Sequence, residues 1–391
     1  MQKAARLGQL PPYLFVQIRN KIREAKERGI DVISLGVGDP DQPTPAHVVD
    51  ALCQAARDPA NHQYPTDEEK GMFAFRQAVA RWYHRRFGVH CDPDTEVLAL
   101  IGSKEGNHHL CLGVLNPGDV AVLPDPGYPA YYASAVFAGA EVLRVPIRRE
   151  EGYLLNFEEI PSDALKRTRL IFLCYPNNPT GAVAPPEFYQ RAVDFARKHD
   201  LVVVNDNPYS EICYDGYRPA SIMAAEGAKE VAVEFNSLSK PFNMTGWRIG
   251  MAVGAPHLIS AISQVKENTD SGVFNAVQYA AIAALEGPEA ELERLRQLYQ
   301  GRRDRVLETL RAIGLNPDTP KATFYIWCPT PSGTTSIDFA AEVLEKAGVV
   351  VTPGIGYGSQ GEGFFRISLT VADARLDEAM ERLREAFAGA E

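Results

Sequence analysis

A lysine that follows an apolar segment has neighbours suited to binding a phosphorylated aldehyde. Lys240 comes shortly after the apolar stretch Val231–Phe235, is preceded by Ser237 and Ser239, and is followed eight positions later by Arg248. A lysine amine forms an imine with an aldehyde, while hydroxyl groups and a guanidinium bind a phosphate. The alternative is a solvated loop lysine beside an unrelated surface arginine, and this segment alone does not decide between the two interpretations.

Two other apolar stretches are followed by groups that complement the lysine. Asn178 comes after Leu170–Cys174, and Asp206 and Tyr209 come after Leu201–Val204. If these stretches are strands of one sheet, their ends bring an amide, a carboxylate, a phenol and the amine to the same edge. A pyridinium ring needs that set, because a carboxylate keeps the ring nitrogen protonated while an amide and a phenol hydrogen-bond a ring oxygen.

Short apolar stretches alternate with amphipathic helices through the middle of the chain, which predicts an α/β fold with a largely parallel sheet covered on both faces. The predicted strands are Val97–Ile101, Val120–Leu123, Leu170–Cys174, Leu201–Val204, Val231–Phe235 and Ile249–Val253. The predicted helices lie near Ala46–Ala56 and Met72–Phe87, from Ser103, after Pro129 and across Glu187–His199.

The C-terminal part of the chain predicts a second, smaller domain of α+β type. Its predicted elements are a long helix over Pro288–Ile313, strands at Phe324–Trp327, Val349–Thr352 and Phe364–Leu369, and helices at Ser336–Lys346 and Leu376–Phe387. We therefore expect an N-terminal segment over 1–45 that packs with the small domain, a large domain over 46–288 and a small domain over 289–391.

Composition excludes several classes of function. The chain has 391 residues, a net charge of −10 and no run of Lys and Arg, so nucleic acid is not an expected partner. The N-terminus lacks the apolar core of a signal peptide and no apolar run could span a membrane, so we expect a cytoplasmic protein. Six scattered cysteines form no Cys-x-x-Cys pair, and the adjacent His108 and His109 point in different directions on a helix, so we expect no metal site.

The motifs Asn-Pro-Thr-Gly, Asp-x-x-Tyr and Ser-x-Ser-Lys with a following Arg, in this order, resemble the class I/II aminotransferases of PLP fold type I over nearly the whole chain. The resemblance implies an aspartate aminotransferase-like, mostly parallel seven-stranded sheet and pyridoxal 5′-phosphate (PLP) as cofactor. It implies that Lys240 holds the cofactor as a Schiff base and shuttles the proton, that Asp206 pairs with the pyridine nitrogen, and that Asn178 and Tyr209 bond the ring oxygen. The residues implied for the phosphate are Ser237, Ser239 and Arg248.

Further site residues follow from the same resemblance. Ser103 and Lys104 open a predicted helix, where free N–H groups suit the phosphate, although an ordinary serine cap is the alternative. Tyr128 would stack on the cofactor, the alternative being a core tyrosine. Arg366 lies in an apolar strand and needs an anionic partner, which would be the substrate α-carboxylate or an internal carboxylate. Gly38 would contact the same substrate carboxylate through its backbone, and Asn178 also belongs to the substrate-binding set.

Longer stretches are similar to the bacterial LL-diaminopimelate aminotransferases, among them Asn243-Met-Thr-Gly-Trp-Arg-Ile-Gly250. That family exchanges an amino group between LL-2,6-diaminopimelate and 2-oxoglutarate in lysine biosynthesis, and its keto product cyclises to tetrahydrodipicolinate. The resemblance assigns the far end of this substrate to four positions, which are Tyr13, Lys104, Asn275 and an acid after Tyr64. The link from Tyr64 to Gly71 is longer than the family pattern, so that acid is Glu68 or one of its neighbours, Asp67 and Glu69. An exposed acidic loop is the alternative.

Tyr64 itself, by resemblance, reaches the cofactor phosphate of a partner subunit, which implies a homodimer with shared sites. Three alternatives remain for the activity. An aminotransferase acting on aspartate, alanine or glutamate would use the same catalytic set, since fold and cofactor do not fix the substrate. A PLP-dependent C–S lyase shares the fold but needs no keto-acid acceptor. A regulator that senses an effector through this domain would carry an added DNA-binding segment.

Overall fold

The computed structural model describes residues 3–12, 14–65 and 70–387. The strands are β1 (Ile33–Ser34), β2 (Val97–Leu100), β3 (Val120–Asp125), β4 (Glu141–Pro146), β5 (Thr168–Leu173), β6 (Val202–Asp206), β7 (Ala232–Ser237), β8 (Gly250–Gly254), β9 (Tyr325–Pro329), β10 (Val349–Val350), β11 (Thr352–Pro353) and β12 (Phe364–Ser368). The α-helices are α1 (Leu14–Glu27), α2 (Ala46–Ala56), α3 (Phe73–Phe87), α4 (Ser103–Val114), α5 (Pro129–Phe137), α6 (Ser162–Leu165), α7 (Pro186–His199), α8 (Ala228–Val231), α9 (Pro256–Glu267), α10 (Asn275–Glu286), α11 (Glu289–Ala312), α12 (Ser336–Ala347) and α13 (Asp373–Phe387).

The large sheet has seven strands among the described residues, in the order β2-β8-β7-β6-β5-β3-β4. All neighbouring pairs are parallel except those of β8, which runs antiparallel to both β2 and β7. The predicted mostly parallel seven-stranded sheet is therefore confirmed. Because β8 runs against its neighbours, the residues before β8 lie at the same edge as the residues after the parallel strands.

Helices cover both faces of this sheet, and alternate residues of each strand face opposite layers. Leu98 and Leu100 pack with α4, α5 and α9 in one apolar cluster. Val97 and Ala99 pack with α3, α7 and α10 in another. The central strands are buried on both sides, which explains why they appear in the sequence as continuous apolar runs.

A third cluster forms around the C-terminal elements. Strands β11, β12 and β9 make an antiparallel sheet, and α11, α12 and α13 contribute to the same core. Strand β1 pairs in parallel with β10, and Ile33 and Leu35 are buried in this cluster. The α+β character of this part agrees with the sequence-based expectation, whereas the boundaries at 45 and 288 stay a prediction.

Several elements differ from those predicted. Strand β4, at the edge of the large sheet, and helices α9 and α10 were not predicted. The single strand predicted over Val349–Thr352 is divided into β10 and β11, which belong to different sheets because the chain changes partner between them. No helix in the described part of the chain is both long and apolar enough to cross a membrane.

Candidate active site

A cavity of about 310 Å³ opens at the edge of the large sheet where the parallel strands end. It lies where open α/β sheets usually bind their ligands. Its lining contains many of the residues that the sequence predicted for the site. They are Gly38, Ser103, Lys104, Tyr128, Asn178, Asp206, Tyr209, Ser237, Ser239, Lys240 and Arg248.

Lys240 follows β7 and extends its amine into this cavity. Its Nζ donates a hydrogen bond to the Gly38 carbonyl oxygen at 3.0 Å. Burial lowers the pKa of Lys240 to about 8, and the positive charges of Arg366 and Arg248 add to this effect against the opposing charge of Asp39. A lowered pKa makes the neutral, nucleophilic amine accessible near physiological pH.

Asp206 ends β6 and is buried at the floor of the cavity. Its Oδ2 accepts hydrogen bonds from the Tyr131 hydroxyl at 2.9 Å and from Asn107 Nδ2 at 3.0 Å. Its Oδ1 is buried and accepts no hydrogen bond from any residue in the described ranges. Burial raises the pKa of Asp206 to about 6, although interactions with the side chains of Tyr131, Asn107 and Ser103 counteract the rise.

Arg366 lies on β12 and its side chain is fully buried beside the cavity. Its Nη1 donates to Asn178 Oδ1 at 2.8 Å and its Nη2 donates to the Gly36 carbonyl oxygen at 2.9 Å. The guanidinium lies over the ring of Tyr325, 3.9 Å from the ring centre. An amide, a carbonyl and an aromatic face therefore hold this guanidinium in place beside Asn178.

The opposite end of the cavity is formed by the N-terminus of α4 and by Arg248. Arg248 Nη2 donates to the Ile101 carbonyl oxygen at 3.3 Å and Nη1 donates to the Thr245 carbonyl oxygen at 2.9 Å. A Cβ on Gly102 would collide with the Arg248 guanidinium, and Gly102 also has a positive φ of 79°. This glycine therefore lets Arg248 pack against the turn that presents Ser103 and the free N–H groups of the helix.

Tyr209 and Tyr128 line the cavity between these two ends. The hydroxyl groups of Tyr209 and Tyr325 lie 3.2 Å apart. Burial raises the pKa of Tyr209 well above its usual value, so the phenol keeps its proton. Tyr128 makes an edge-to-face contact with Tyr131, with ring centres 5.5 Å apart.

Other predicted site residues are not brought to the cavity. Tyr64 and Asn275 are not among the described residues that line it, and the Tyr64 side chain is 77% exposed. The remaining predicted positions, Tyr13, Asp67, Glu68 and Glu69, lie outside the described residues.

The structure also adds residues that were not predicted. Tyr131 and Asn107 contact Asp206 directly, and Tyr325 contacts both Tyr209 and Arg366. A sequence signal existed for the first two, since Tyr131 is three residues after Tyr128 and Asn107 is four residues after Ser103 on predicted helices. The other newly found lining residues are Arg19, Val37, Asp39, Cys174, Pro208 and Thr245.

One group of potential metal ligands lies behind the N-terminal turn of α4. Glu105, His109 and Asp270 have ligand atoms within 4.8 Å of one another. The fully buried Lys266 donates to Glu105 Oε1 and to Asp270 Oδ1, both at 2.8 Å. A lysine ammonium thus provides the positive charge that these carboxylates share.

Comparison with known proteins identifies the family. The family described as Aminotransferase class I and II matches residues 30–383. A protein named LL-diaminopimelate aminotransferase from Moorella thermoacetica is 56% identical to this chain over 384 residues, which is 98% of each chain. A protein of the same name from Dehalococcoides mccartyi is 54% identical over 383 residues, also 98% of each chain. The structure of a Thermus thermophilus aspartate aminotransferase single mutant is 30% identical, with a TM-score of 0.91 over 99% of this chain and 100% of that chain. The chain therefore belongs to the class I and II aminotransferases.

Proposed function

We propose that this chain transfers an amino group from LL-2,6-diaminopimelate to 2-oxoglutarate, a step of lysine biosynthesis that gives tetrahydrodipicolinate and glutamate. The observation that carries the proposal is the 56% identity, over 98% of both chains, to a relative named LL-diaminopimelate aminotransferase. The cavity supports a reaction of this class, because an amine and a buried carboxylate line it and a buried guanidinium donates to Asn178 in its lining.

The residues present fit PLP as the cofactor. Asp206 Oδ1, which is buried and accepts no hydrogen bond within the described part of the chain, suits a protonated ring nitrogen. Lys240 offers an amine of lowered pKa for the aldehyde. Asn178 and Tyr209 suit the ring oxygen, and Tyr128 suits the ring face. The residues that would hold the phosphate are Ser103, Lys104, Ser237, Ser239 and Arg248.

Each residue of the site has its own role in the proposed transamination. When bound, the cofactor supplies an aldehyde that takes up the substrate amino group and a ring that withdraws electrons from the substrate Cα. Arg366 binds the substrate α-carboxylate with two parallel hydrogen bonds, and the Gly38 backbone approaches the same group. With the cofactor bound, the Lys240 amine would take the proton from the substrate Cα as general base and give it back as general acid. The same residues serve a second keto acid in reverse, which gives ping-pong kinetics.

The active unit is a homodimer in which Tyr64 contacts the cofactor phosphate of the partner subunit. Tyr64 is 77% exposed and is not among the described residues that line the cavity of its own chain, which supports a role outside it. Three further apolar side chains are exposed on neighbouring elements, Phe73 at 42%, Phe274 at 48% and Tyr279 at 41%. The Met72 N–H donates to Gln278 Oε1 at 2.7 Å, which places the start of α3, where Phe73 lies, beside the part of α10 that carries Tyr279. Exposed apolar side chains on neighbouring elements favour association.

The distal end of the substrate needs partners for a second ammonium and a second carboxylate. We assign the ammonium to Glu68 and the carboxylate to Tyr13, Lys104 and Asn275. Lys104 lines the cavity, whereas Asn275 begins α10 on the surface that carries Phe274. In a dimer Asn275 and the acidic loop would belong to a site completed by the partner subunit.

A panel of amino donors with 2-oxoglutarate as acceptor, scored for glutamate, tests the proposal. We expect kcat/KM for LL-diaminopimelate to exceed those for aspartate and alanine by roughly a hundredfold or more, since a substrate lacking the distal groups leaves polar site residues unpaired. Lys240→Ala is the control and should form no covalent adduct with the cofactor. Absence of turnover with diaminopimelate would refute the substrate assignment and leave the aminotransferase class intact.

A further inference from the structure

Two polar side chains donate hydrogen bonds to the buried carboxylate of Asp206. Tyr131, on α5, and Asn107, on α4, both donate to the same carboxylate oxygen, Oδ2, at 2.9 and 3.0 Å. The second oxygen, Oδ1, is equally buried and accepts nothing from the residues that the structure describes. Burying a carboxylate oxygen that accepts no hydrogen bond is energetically unfavourable. A ligand that donates a hydrogen bond to Oδ1 would remove this cost.

We propose that Tyr131 and Asn107 are positioning residues that occupy Oδ2 of Asp206 and so reserve Oδ1 for the protonated ring nitrogen of the cofactor. The inference rests on the proposed function, because it takes the cofactor ring to lie against Asp206. Neither residue needs to touch the cofactor for this role. Both act through the orientation and the charge of one carboxylate.

The donors are held rigidly, which makes them suited to fixing an orientation. The Tyr131 ring is buried, stacks on Phe172 with ring centres 4.7 Å apart, and contacts Tyr128 edge to face. Asn107 is fully buried, and its Nδ2 also donates to the Ser103 carbonyl oxygen at 3.2 Å. Packing therefore fixes both donors before any ligand arrives, so the orientation of the carboxylate is set in advance.

The same bonds also keep the carboxylate charged. Burial raises the pKa of Asp206 to about 6, and the hydrogen bonds from Tyr131 and Asn107, with a further interaction of the Ser103 side chain, oppose that rise because they stabilise the ionised form. Burial, together with the charge of Asp206, raises the pKa of Tyr131 well above its usual value, so its phenol remains a donor. Loss of either donor would favour the neutral carboxyl, which binds a pyridinium less well.

The test compares two ligands that differ only in the ring nitrogen. Apoenzymes are titrated with PLP and with 1-deazapyridoxal 5′-phosphate, in which C–H replaces that nitrogen. For each protein the ratio of the two dissociation constants reports the contribution of the ring nitrogen. A general loss of cavity shape weakens both ligands and leaves the ratio unchanged.

The variants are Tyr131→Phe and Asn107→Leu, which remove one donor each and retain most of the side-chain volume. The matched control is Tyr132→Phe, because this neighbouring hydroxyl donates to a different group, the Gln9 carbonyl oxygen, at 3.3 Å. Circular dichroism and thermal unfolding of each apoenzyme check that the variants fold.

We expect the wild type and Tyr132→Phe to prefer PLP over the deaza ligand by the same factor. In Tyr131→Phe and Asn107→Leu that preference should fall roughly tenfold, the size typical of one hydrogen bond to a charged group. An unchanged preference in both folded variants would overturn the inference while leaving the proposed function in place. A wild type that binds both ligands equally would overturn the placement of the ring nitrogen at Asp206 as well.

Discussion

At the scale of single residues, the cavity contains two ionisable groups whose pKa values are shifted in opposite senses by burial. The pKa of Lys240 is lowered to about 8 and that of Asp206 is raised to about 6. Each shift moves the group toward neutrality, and groups with such shifts are typical of acid–base sites. In the apoenzyme between these values, Asp206 is mainly ionised and Lys240 still mainly protonated.

The first prediction concerns the capture of the cofactor by Lys240. The rate of covalent capture by the apoenzyme should rise with pH and level off above about 8, because only the neutral amine attacks an aldehyde. Rapid-mixing absorbance over a series of pH values measures the midpoint. The free side chain of lysine, with a pKa of 10.5, is the reference. A midpoint near that reference would contradict the assigned environment of Lys240.

The second prediction concerns the acid that selects the substrate. Glu68→Gln should raise the KM for LL-diaminopimelate roughly tenfold or more, because a charged hydrogen-bond partner of the distal ammonium is lost. The KM for glutamate in the reverse direction should stay unchanged, since glutamate has no distal ammonium. Asp67→Asn and Glu69→Gln are matched controls on either side. If a control variant raises the KM for LL-diaminopimelate instead, the residue changed in that control is the acid that binds the distal ammonium. If none of the three variants raises this KM, none of these acids recognises the ammonium.

Sequence motifs predicted many of the cavity residues but only part of the environment of each. Lys240, Asn178 and Arg248 lie in contiguous motifs that end predicted strands, and a shared sheet edge follows from the alternation of strands and helices. Tyr131 and Asn107 were not predicted as site residues because their common partner, Asp206, is far away in the chain. Helical spacing placed them on the same faces as Tyr128 and Ser103 but could not show what those faces meet.

At the scale of elements, a buried lysine connects the turn at the start of α4 to the segment before α10. Lys266, on α9, donates to Glu105 and to Asp270. Glu105 also accepts from the Ile101 N–H, and Asp270 accepts from the Gly272 N–H at 2.8 Å. Burial alone would raise the pKa of Glu105, but its hydrogen bond with His109 and the charge of Lys266 bring it down to about 2. Its stabilising contribution is therefore present above its ordinary pKa of 4.5 and is lost as the pH falls toward about 2.

The third prediction is that Lys266→Met lowers the unfolding midpoint of the apoenzyme substantially. Removing one partner of a buried ion pair leaves uncompensated charge and costs about 3–5 kcal/mol. Lys346→Met is the control, because its ion pair with Glu342 is exposed on α12 and such pairs contribute about 0–1 kcal/mol. Denaturant unfolding followed by circular dichroism measures both variants. Equal unfolding midpoints for the two variants would show that the ion pairs of Lys266 with Glu105 and Asp270 do not stabilise the fold.

Strands were predicted correctly from the sequence where burial produces a continuous apolar run, and were missed at the edge of a sheet. Strand β3 is buried at every position, whereas β4, the unpredicted neighbour of β3, is exposed or half-buried at all but one. An edge strand with polar residues such as Glu141 and Arg144 has no continuous apolar run. Strand β1 is two residues long, too short for periodicity, and exists because it pairs with β10.

At the scale of the whole molecule, we propose that a second copy of the chain completes the site. Tyr64, Phe73, Phe274 and Tyr279 present exposed aromatic rings, whereas most aromatic side chains of the described residues are buried or half-buried. Of the residues proposed for the distal end of the substrate, Glu68 lies four positions after Tyr64 in the chain and Asn275 directly follows Phe274. Sequence patterns describe how one chain buries its own residues, so this surface became visible only in the folded molecule.

The fourth prediction follows from a site shared between subunits. Tyr64→Ala and Lys240→Ala homodimers should each be nearly inactive, but mixing them under exchange conditions should restore up to about a quarter of wild-type activity. Half of the dimers are then hybrids, and each hybrid has one site with both residues intact. As a control, Lys240→Ala is mixed with a Lys240→Ala/Tyr64→Ala double variant, a pair that cannot form an intact site. No recovery despite demonstrated subunit exchange would contradict the shared site.

The most direct test of the proposed function is a single turnover without acceptor. Holoenzyme is mixed with LL-diaminopimelate alone, and the absorbance of the bound cofactor and the released product are followed together. We predict stoichiometric conversion of the cofactor to its amino form with release of tetrahydrodipicolinate, and restoration of the aldehyde form with one glutamate per site when 2-oxoglutarate is added. Conversion by aspartate or alanine but not by LL-diaminopimelate would contradict it.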